Sequence, residues 1–358
     1  MKSSDTQGVP TKSERNPALD IAKGLGILLV VIGHHPWVVE TRSLSRLIFT
    51  FHVPLFIFLS GVFMQDRLAL WPTAKGRARV LLKPYFVIMI GLLLVDVALR
   101  GRGVSERLES LLYGTGGTLT WIPLWFLPYL WLVTLASLLI WRATSFGSLG
   151  RAARLVWLAL ILVAGVWALR TVAASDRVLF DHPIAVAGLP WSLDLVLIGV
   201  FYFLLGRWCR DMLVGITFSA WKFWVSLLAF AVLYWATRAS MDLNMRGYDN
   251  LVLSTVAALL GISMTVQCSA WLVRCKRVSQ ALRYIGQATL IILIFHSIPQ
   301  QRTFELLQAH APGGYVLHAL AALIVGVGLP LLIYAVAVRS RVLSALLLAP
   351  KRTPGTKP

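Results

Sequence analysis

Long apolar runs separated by short polar connections make up most of this chain. Ten of these runs are long enough to be interpreted as helices that cross a bilayer core of about 30 Å. Their approximate bounds are 18–39, 47–65, 80–99, 121–141, 155–172, 190–208, 219–237, 250–272, 286–300 and 315–338. The ninth run is the shortest and ends at Ile298-Pro299. The pattern therefore predicts an all-α, polytopic integral membrane protein with about ten transmembrane helices.

The distribution of charge predicts how these helices are oriented. Lys and Arg collect on the cytoplasmic side of membrane proteins. With a cytoplasmic N-terminus, more than two thirds of the 34 Lys and Arg fall on that side, and two thirds of the 15 Asp and Glu fall on the other. Both termini are therefore predicted to be cytoplasmic. The chain divides into a disordered N-terminus (1–16), a membrane domain (17–339) and a C-terminal tail (340–358).

Composition excludes several classes of function. Charged residues amount to 14% of the chain, whereas a soluble domain contains about 25%. The net charge of +19 does not predict nucleic-acid binding, because the basic residues are spread along one face of the membrane. The three cysteines form no CxxC motif, so we expect no metal site. The sequence contains no nucleotide-binding GxxxxGK[ST] loop, so we expect no ATP-driven pump. The polar start of the chain predicts no cleavable signal peptide.

Lys23 and His34 are the first candidates for chemistry. Eleven residues of α-helix bring their side chains to within roughly 20° of one face, about 16 Å apart along the axis. Ionisable groups at membrane depth are costly and usually face a protein or water-filled interior. A neutral imidazole can take a proton from a hydroxyl near pH 7, as a general base does. The alternatives are a core histidine for His34 and an ion pair with Asp20, three residues away, for Lys23.

Several ordered blocks resemble the integral-membrane acyltransferase-3 family, most closely its fucose 4-O-acetylase-like branch. The first block contains Leu19-Asp20-Ile21-Ala22-Lys23-Gly24 and, further on, Gly33-His34. The second is Phe51-His52-Val53-Pro54-Leu55-Phe56-Ile57-Phe58-Leu59-Ser60-Gly61, and the third is Arg77-Ala78-Arg79-Val80-Leu81-Leu82-Lys83-Pro84-Tyr85. Weaker blocks follow at 123–127, 189–194, 242–248 and 284–296. The resemblance extends over about residues 17–338.

The resemblance implies a bacterial inner-membrane enzyme. Its members move an acyl group, commonly acetyl from acetyl-CoA, to sugar hydroxyls of surface glycans or of their lipid-linked precursors. Carried over to this chain, His34 becomes the catalytic residue, and Lys23, Arg77 and Arg79 belong to the donor side. The family often has Arg where Lys23 stands. Some members carry an additional esterase-like domain that this sequence does not show, so the membrane domain would perform the transfer alone.

Two further residues complete the predicted catalytic set with His34. His52 is expected near the outer end of the second helix, where it orients the acceptor or bonds to His34, or serves as a structural cap. Asp194 is expected to hold an imidazole in one tautomer or to bind a sugar hydroxyl, or to pair with an outer arginine. Lys83 joins Arg77 and Arg79 at the inner mouth as a predicted contact to donor phosphates. These three cations are equally typical of ordinary cytoplasmic anchoring.

The predicted acceptor site lies at the outer face. Trp125 and Trp191 are candidates for stacking on a sugar, with an aromatic belt at the membrane interface as the alternative. Asp242 and Asn244, in a polar outer loop, are candidates for hydrogen bonds to the glycan. We interpret His296 mainly as a structural residue.

The preferred function is O-acetyl transfer from acetyl-CoA to a polysaccharide or lipid-linked oligosaccharide. The expected partners of the protein are this glycan acceptor, the membrane lipid and a polysaccharide-assembly complex. The alternative is a transporter or flippase for a lipid-linked sugar or a small solute. Against it stand the lack of sequence repeats and of paired broken helices, which mark many transporters. A non-catalytic scaffold is the third hypothesis, and it leaves the buried Lys and His without a purpose.

Overall fold

The computed structural model describes residues 16–64, 69–100 and 104–349. Of the predicted disordered N-terminus (1–16), residues 1–15 lie outside this description, and so do residues 350–358 at the end of the predicted tail. The described chain is helical almost throughout. The prediction of an all-α polytopic protein is confirmed.

Seventeen α-helices follow one another in the described ranges. They are α1 (Pro17–Gly33), α2 (Pro36–Glu40), α3 (Ser43–Val62), α4 (Leu70–Arg100), α5 (Val104–Tyr113), α6 (Phe126–Ala143), α7 (Arg151–Ala173), α8 (Ile184–Ala187), α9 (Val196–Trp208), α10 (Arg210–Val214), α11 (Ala220–Thr237), α12 (Leu251–Leu272), α13 (Lys276–Gln287), α14 (Thr289–Phe295), α15 (Ser297–His310), α16 (Tyr315–Arg339) and α17 (Arg341–Leu347). Short 3-10 helices at Ile122–Trp125, Phe146–Ser148 and Pro190–Leu195 precede α6, α7 and α9.

Two small antiparallel hairpins interrupt the helices. In the first, β1 (Val178–Leu179) pairs with β2 (His182–Pro183). In the second, β3 (Met241–Asp242) pairs with β4 (Gly247–Tyr248), with Asp242 opposite Gly247. The second hairpin contacts α3 and connects α11 to α12. It therefore brings the predicted acceptor-side loop close to α3.

Eight helical segments in the described residues are long and apolar enough to cross a membrane. A ninth results if α13 and α14, which meet at a bend of 64°, are taken as one broken span. Helix α1 has 17 residues, which gives it a length of about 26 Å, shorter than the bilayer core. The number of ten spans and the cytoplasmic location of both termini stay predictions.

Helix α1 lies in the middle of the bundle and contacts α3, α12, α13, α14 and α16. Its closest approach is to α13. A Cβ atom on Gly24 would lie 2.2 Å from the backbone oxygen of Leu282, and one on Gly286 would lie 2.3 Å from that of Asp20. Only glycine permits two helix backbones to come so close. The two glycines therefore fix α13 against the N-terminal half of α1.

Burial separates inner helices from lipid-facing ones. In α3, 67% of the apolar segment is buried, compared with 17% in α11 and 22% in α16. The exposed face of α11 carries large apolar side chains such as Trp221, Trp224 and Trp235. Such a surface would be unfavourable in water but is expected in contact with lipid. The core lies around α1, α3, α6, α9 and α12, and the peripheral helices face lipid.

Three predictions about the helices need correction. The first apolar run ends as a helix at Gly33, because His34 caps α1 and Pro36 begins α2. The ninth run, 286–300, is divided among α13, α14 and α15, because the chain bends at Ala288. His52 lies in the middle of α3, so it does not act as a helix cap.

Candidate active site

Three histidines converge where α1 ends. His34 is the C-terminal cap of α1, His52 belongs to α3, and His296 separates α14 from α15. The ring centroid of His34 lies 5.4 Å from that of His296 and 6.3 Å from that of His52. Phe49 packs against two of them, 5.2 Å from His34 and 5.1 Å from His52. We call His34, His52 and His296 the histidine cluster.

Backbone hydrogen bonds determine the tautomer of each imidazole. The Nδ1 atoms of His34, His52 and His296 lie 2.8, 3.1 and 2.9 Å from carbonyl oxygens one turn earlier in their own helices. A carbonyl oxygen can only accept, so each Nδ1 must carry the hydrogen and each Nε2 keeps its lone pair. The cluster therefore presents three nitrogen atoms that can accept a proton.

His296 is the member of the cluster that sequence reasoning interpreted as structural. Its side chain is fully buried, and its Nε2 has no hydrogen-bond partner among the described residues. A buried polar atom without a partner is costly and often marks a site where a ligand or a reaction supplies one. The signal in the sequence was the irregular ninth run, which was too short for a regular span and contained a histidine.

Asp242 adds a negative charge to this end of α1. The residue lies at the end of β3, and its Oδ1 accepts a hydrogen bond of 3.1 Å from the backbone N–H of Met245. Its carboxylate is close enough to His34 for an electrostatic interaction. Burial raises the pKa of Asp242 above its ordinary value, while the bond from Met245 and the proximity of His34 act in the opposite direction. The residue predicted to bind the acceptor is therefore also an electrostatic partner of His34.

Asp194 holds the loop that carries Asp242 and does not touch an imidazole in the described contacts. Its Oδ2 lies 3.3 Å from Nε of Arg246, and its Oδ1 accepts from the backbone N–H of Leu189 at 2.9 Å. Both side chains of the ion pair are almost fully buried. Arg246 also donates to Oγ of Ser192. This geometry corresponds to the predicted alternative of an arginine partner, because Oδ2 pairs with Arg246 and Oδ1 accepts from a backbone N–H.

The backbone at Gly188 is shaped for this ion pair. Its φ of +72° is one that L side chains rarely adopt, and a Cβ atom there would lie 2.3 Å from the guanidinium of Arg246. Glycine is therefore required both by conformation and by space.

The two predicted sugar-stacking tryptophans have different surroundings. Trp125 is 5% exposed and stacks on Tyr129 at 5.4 Å between ring centroids, so its ring is part of the core rather than a surface for a sugar. Trp191 is half-buried, and its indole N–H has no partner among the described residues. The side-chain oxygen of Asn244 also has no hydrogen-bond partner among the described residues. Trp191 and Asn244 therefore keep polar atoms that a ligand could bind.

A cavity of about 1590 Å³ runs beside α1 from its N-terminal end. Sites for drug-sized ligands measure about 300–1,000 Å³, so this one has room for a larger molecule. Four basic residues line it: Lys23, Arg77, Arg210 and Arg283. The other polar lining residues are Asn16, Ser60, Gln287 and Thr289. We call this space the central cavity.

Two of the four basic side chains that line the central cavity are held by contacts within the protein. Lys23 lies 3.6 Å from the carboxylate of Asp20, as the spacing of three residues predicts, and its Nζ lies 3.6 Å from the ring centroid of Phe63. Arg210 donates to the backbone oxygen of Met64 at 2.7 Å. These bonds fix the charges in the cavity wall.

The predicted donor-side residues are divided between two places. Lys23 and Arg77 line the central cavity, whereas Arg79 and Lys83 line a separate pocket against α17. Lys83 donates to the backbone oxygens of Ala345 and Leu348, at 2.5 and 2.8 Å. The division follows from helix geometry, because side chains two residues apart on a helix point in nearly opposite directions. Arg79 and Lys83 are therefore not part of the central cavity.

The deep end of the central cavity approaches the histidine cluster. Phe56, which lines the cavity, follows His52 by one helical turn in α3. Leu293, also in the lining, precedes His296 by three residues. Helix α1 itself carries Lys23 in the cavity wall and His34 in the cluster. Lys23 in the wall of the basic cavity and His34 in the proton-accepting cluster thus lie about 16 Å apart along α1.

The model of the acyltransferase-3 family, described as an acyltransferase domain, matches residues 16–335 of this chain. This range includes the central cavity and the histidine cluster. No curated protein and no solved structure gives a significant match.

Proposed function

This chain belongs to the acyltransferase-3 family, and on that premise we propose that it is a bacterial inner-membrane O-acetyltransferase. It moves an acetyl group from cytoplasmic acetyl-CoA to a sugar hydroxyl of a surface polysaccharide or its lipid-linked precursor. The observation that carries this proposal is the placement of a basic cavity and a cluster of proton-accepting imidazoles at successive positions along α1.

The central cavity suits the acyl donor. Acetyl-CoA carries several phosphate charges at one end and a thioester at the end of a long, narrow arm. Lys23, Arg77, Arg210 and Arg283 would hold the phosphates, since Arg binds phosphate with a bidentate fork and Lys acts as a point charge. The apolar residues at the deep end, such as Leu293, would surround the arm. The donor would supply a thioester carbonyl next to the histidine cluster.

His34 is the general base of this mechanism. Its Nε2 accepts the proton of the sugar hydroxyl while the oxygen forms a bond to the acetyl carbon and the bond from that carbon to sulfur breaks. The proton then passes to the thiolate, which leaves as CoA. Asp242 stabilises the imidazolium that forms in between. His52 and His296 pack beside His34 with neutral Nε2 atoms, and no covalent intermediate is required.

The acceptor approaches from the side of the β3–β4 hairpin. Trp191 and Asn244 supply polar atoms that have no hydrogen-bond partner among the described residues, and the Asp194–Arg246 ion pair holds the hairpin in place. A glycan hydroxyl is a suitable substrate for such a surface, because sugars are bound by hydrogen bonds and by aromatic faces. The similarity to the fucose 4-O-acetylase-like branch favours an acceptor in a polysaccharide-assembly pathway.

The test is transfer of isotope-labelled acetyl from acetyl-CoA in membranes that contain the protein. We expect label in a glycan or lipid-linked saccharide together with release of CoA. His34→Ala should lower transfer at least about 100-fold, the contribution of a general base. His310→Ala is the matched control, because His310 is exposed and lies outside the cluster. Normal transfer by His34→Ala at normal expression would contradict the mechanism.

The transporter hypothesis receives one observation from the fold. The break between α13 and α14 lies beside the central cavity, as broken helices often do in transporters. A second broken helix in a related position is not present in the described ranges. Failure of the wild-type protein both to bind acetyl-CoA and to release CoA would favour transport over acyl transfer.

A further inference from the structure

A second pocket lies away from the central cavity, between α4, the end of α16 and α17. Its volume is about 670 Å³, and no residue lines both spaces. The lining residues are Arg79, Lys83, Val338, Arg339, Ser340, Arg341, Ser344 and Ala345. Four of these eight residues are basic and none is acidic, so the pocket attracts anions. We call this space the α17 pocket.

The cations of the α17 pocket have two different roles. Lys83 binds the last carbonyl oxygens of α17 and thereby holds that short helix against α4. The guanidinium groups of Arg79, Arg339 and Arg341 form no hydrogen bond or ion pair with another described residue. Three guanidinium groups that line one pocket without a partner among the described residues can each offer a phosphate a bidentate pair of hydrogen bonds.

Apolar side chains border the same pocket. Val338 in α16 lines the pocket and is 42% exposed. Val342 and Leu346 in α17 do not line it, but each directly follows a lining residue, and they are 68% and 40% exposed. Val342 and Leu346 are four residues apart, so they share one face of α17. A short helix with an apolar face next to a basic patch is typical of the boundary between lipid tails and headgroups. The pocket is therefore built for a ligand that is charged at one end and apolar at the other.

We propose that the α17 pocket binds the phosphate of an anionic phospholipid headgroup. Arg79, Arg339 and Arg341 contact the phosphate, and Val342 and Leu346 pack against the acyl chains. Basic pockets between transmembrane helices bind such headgroups in membrane proteins. A phosphate of a soluble molecule such as CoA has the same chemistry at its charged end. The apolar border favours the lipid.

The experiment compares two double variants of the purified, delipidated protein. Arg339→Gln/Arg341→Gln removes two charges from the pocket, and Arg151→Gln/Arg277→Gln removes two exposed arginines that line neither cavity. Binding of phosphatidylglycerol and of phosphatidylcholine is measured by native mass spectrometry. Binding of CoA and of inorganic phosphate is measured by calorimetry in detergent. Both variants must elute as the wild-type protein does.

We expect the pocket variant to lose about 25-fold in affinity for phosphatidylglycerol, at about fivefold for each arginine near a charged surface. The control variant and the binding of phosphatidylcholine should stay unchanged. Loss of CoA or phosphate binding in the pocket variant, with phosphatidylglycerol unaffected, would overturn the lipid as the source of the phosphate. Equal behaviour of the two double variants toward every ligand would overturn the site. Acyl transfer is not needed for any of these measurements, so they are independent of the proposed enzymatic function.

Discussion

The buried ion pair between Asp194 and Arg246 allows a sharp test of what Asp194 does. Asp194→Asn keeps an oxygen that can accept the hydrogen bond from the backbone N–H of Leu189. The same change removes the charge opposite the guanidinium of Arg246, whose side chain is only 3% exposed. Leaving one partner of a buried pair without compensation costs about 3–5 kcal/mol.

The magnitude converts to a measurable shift in melting temperature. At about 2 °C per kcal/mol, the lower limit of that cost corresponds to a fall in Tm of about 6 °C. Arg246→Met should lower the Tm similarly, because it leaves the carboxylate of Asp194 buried and unpaired. The double variant removes both charges and should be more stable than the sum of the single effects by up to about 3 kcal/mol. Asp176→Asn, an exposed carboxylate, is the control and should leave the Tm unchanged.

Unfolding can be followed with a thiol-reactive dye in detergent. Cys275 is exposed and reacts before unfolding, whereas Cys209 and Cys268 are half-buried, so the further increase in dye signal from these two thiols reports the loss of tertiary structure. Transfer activity should fall in parallel with stability in the two single variants and recover partly in the double variant. If Asp194→Asn abolishes transfer while its Tm stays within a degree of wild type, the structural explanation is wrong and Asp194 has a chemical role.

Three further predictions concern the cluster, the cavity and the helix crossing. His296→Ala should lower transfer by less than His34→Ala does, because His296 packs against the general base rather than acting as it, and donor binding should stay unchanged, as measured by titration with labelled acetyl-CoA. Arg283→Gln should weaken acetyl-CoA binding more than Arg79→Gln does, since only Arg283 lines the central cavity; equal effects would contradict the cavity as the donor site. Gly286→Ala should reduce the Tm and the yield by forcing α1 and α13 apart. Gly91→Ala is the control, because nothing lies near its Cβ position, and it should stabilise the protein by up to about 1 kcal/mol. Equal melting temperatures of the Gly286→Ala and Gly91→Ala variants would refute the close crossing of α1 and α13.

Uniform apolar runs allowed several helices to be predicted well from the sequence. The run at 155–172 corresponds to Arg151–Ala173 in α7, and the run at 250–272 corresponds to Leu251–Leu272 in α12. Local rules also succeeded within one helix, as in the ion pair of Asp20 and Lys23. The ion pair depends only on residues close together in the sequence, and the helices depend on the favourable transfer of apolar side chains from water to lipid.

Features that depend on tertiary contacts could not be predicted in the same way. The bend at Ala288 interrupts an apolar run more than ten residues before its one proline, Pro299, and it brings His296 to His34 across more than 250 residues. Arg246 meets Asp194 across 52 residues. The separation of Arg77 from Arg79 was available from helix geometry, but which of them faces the cavity depends on the position of α4 in the bundle.

The fixed tautomers of the histidine cluster have a consequence for how the reaction is driven. Each Nδ1 hydrogen is held by a backbone carbonyl, so the proton that an Nε2 takes from the acceptor hydroxyl must leave from the same atom to the thiolate. Hydrogen and acetyl simply change places between oxygen and sulfur, and no net charge crosses the membrane. The energy of the thioester is then the entire driving force. Under the proposed function, an uncoupler that collapses the proton-motive force should leave acetylation running as long as acetyl-CoA and acceptor are supplied.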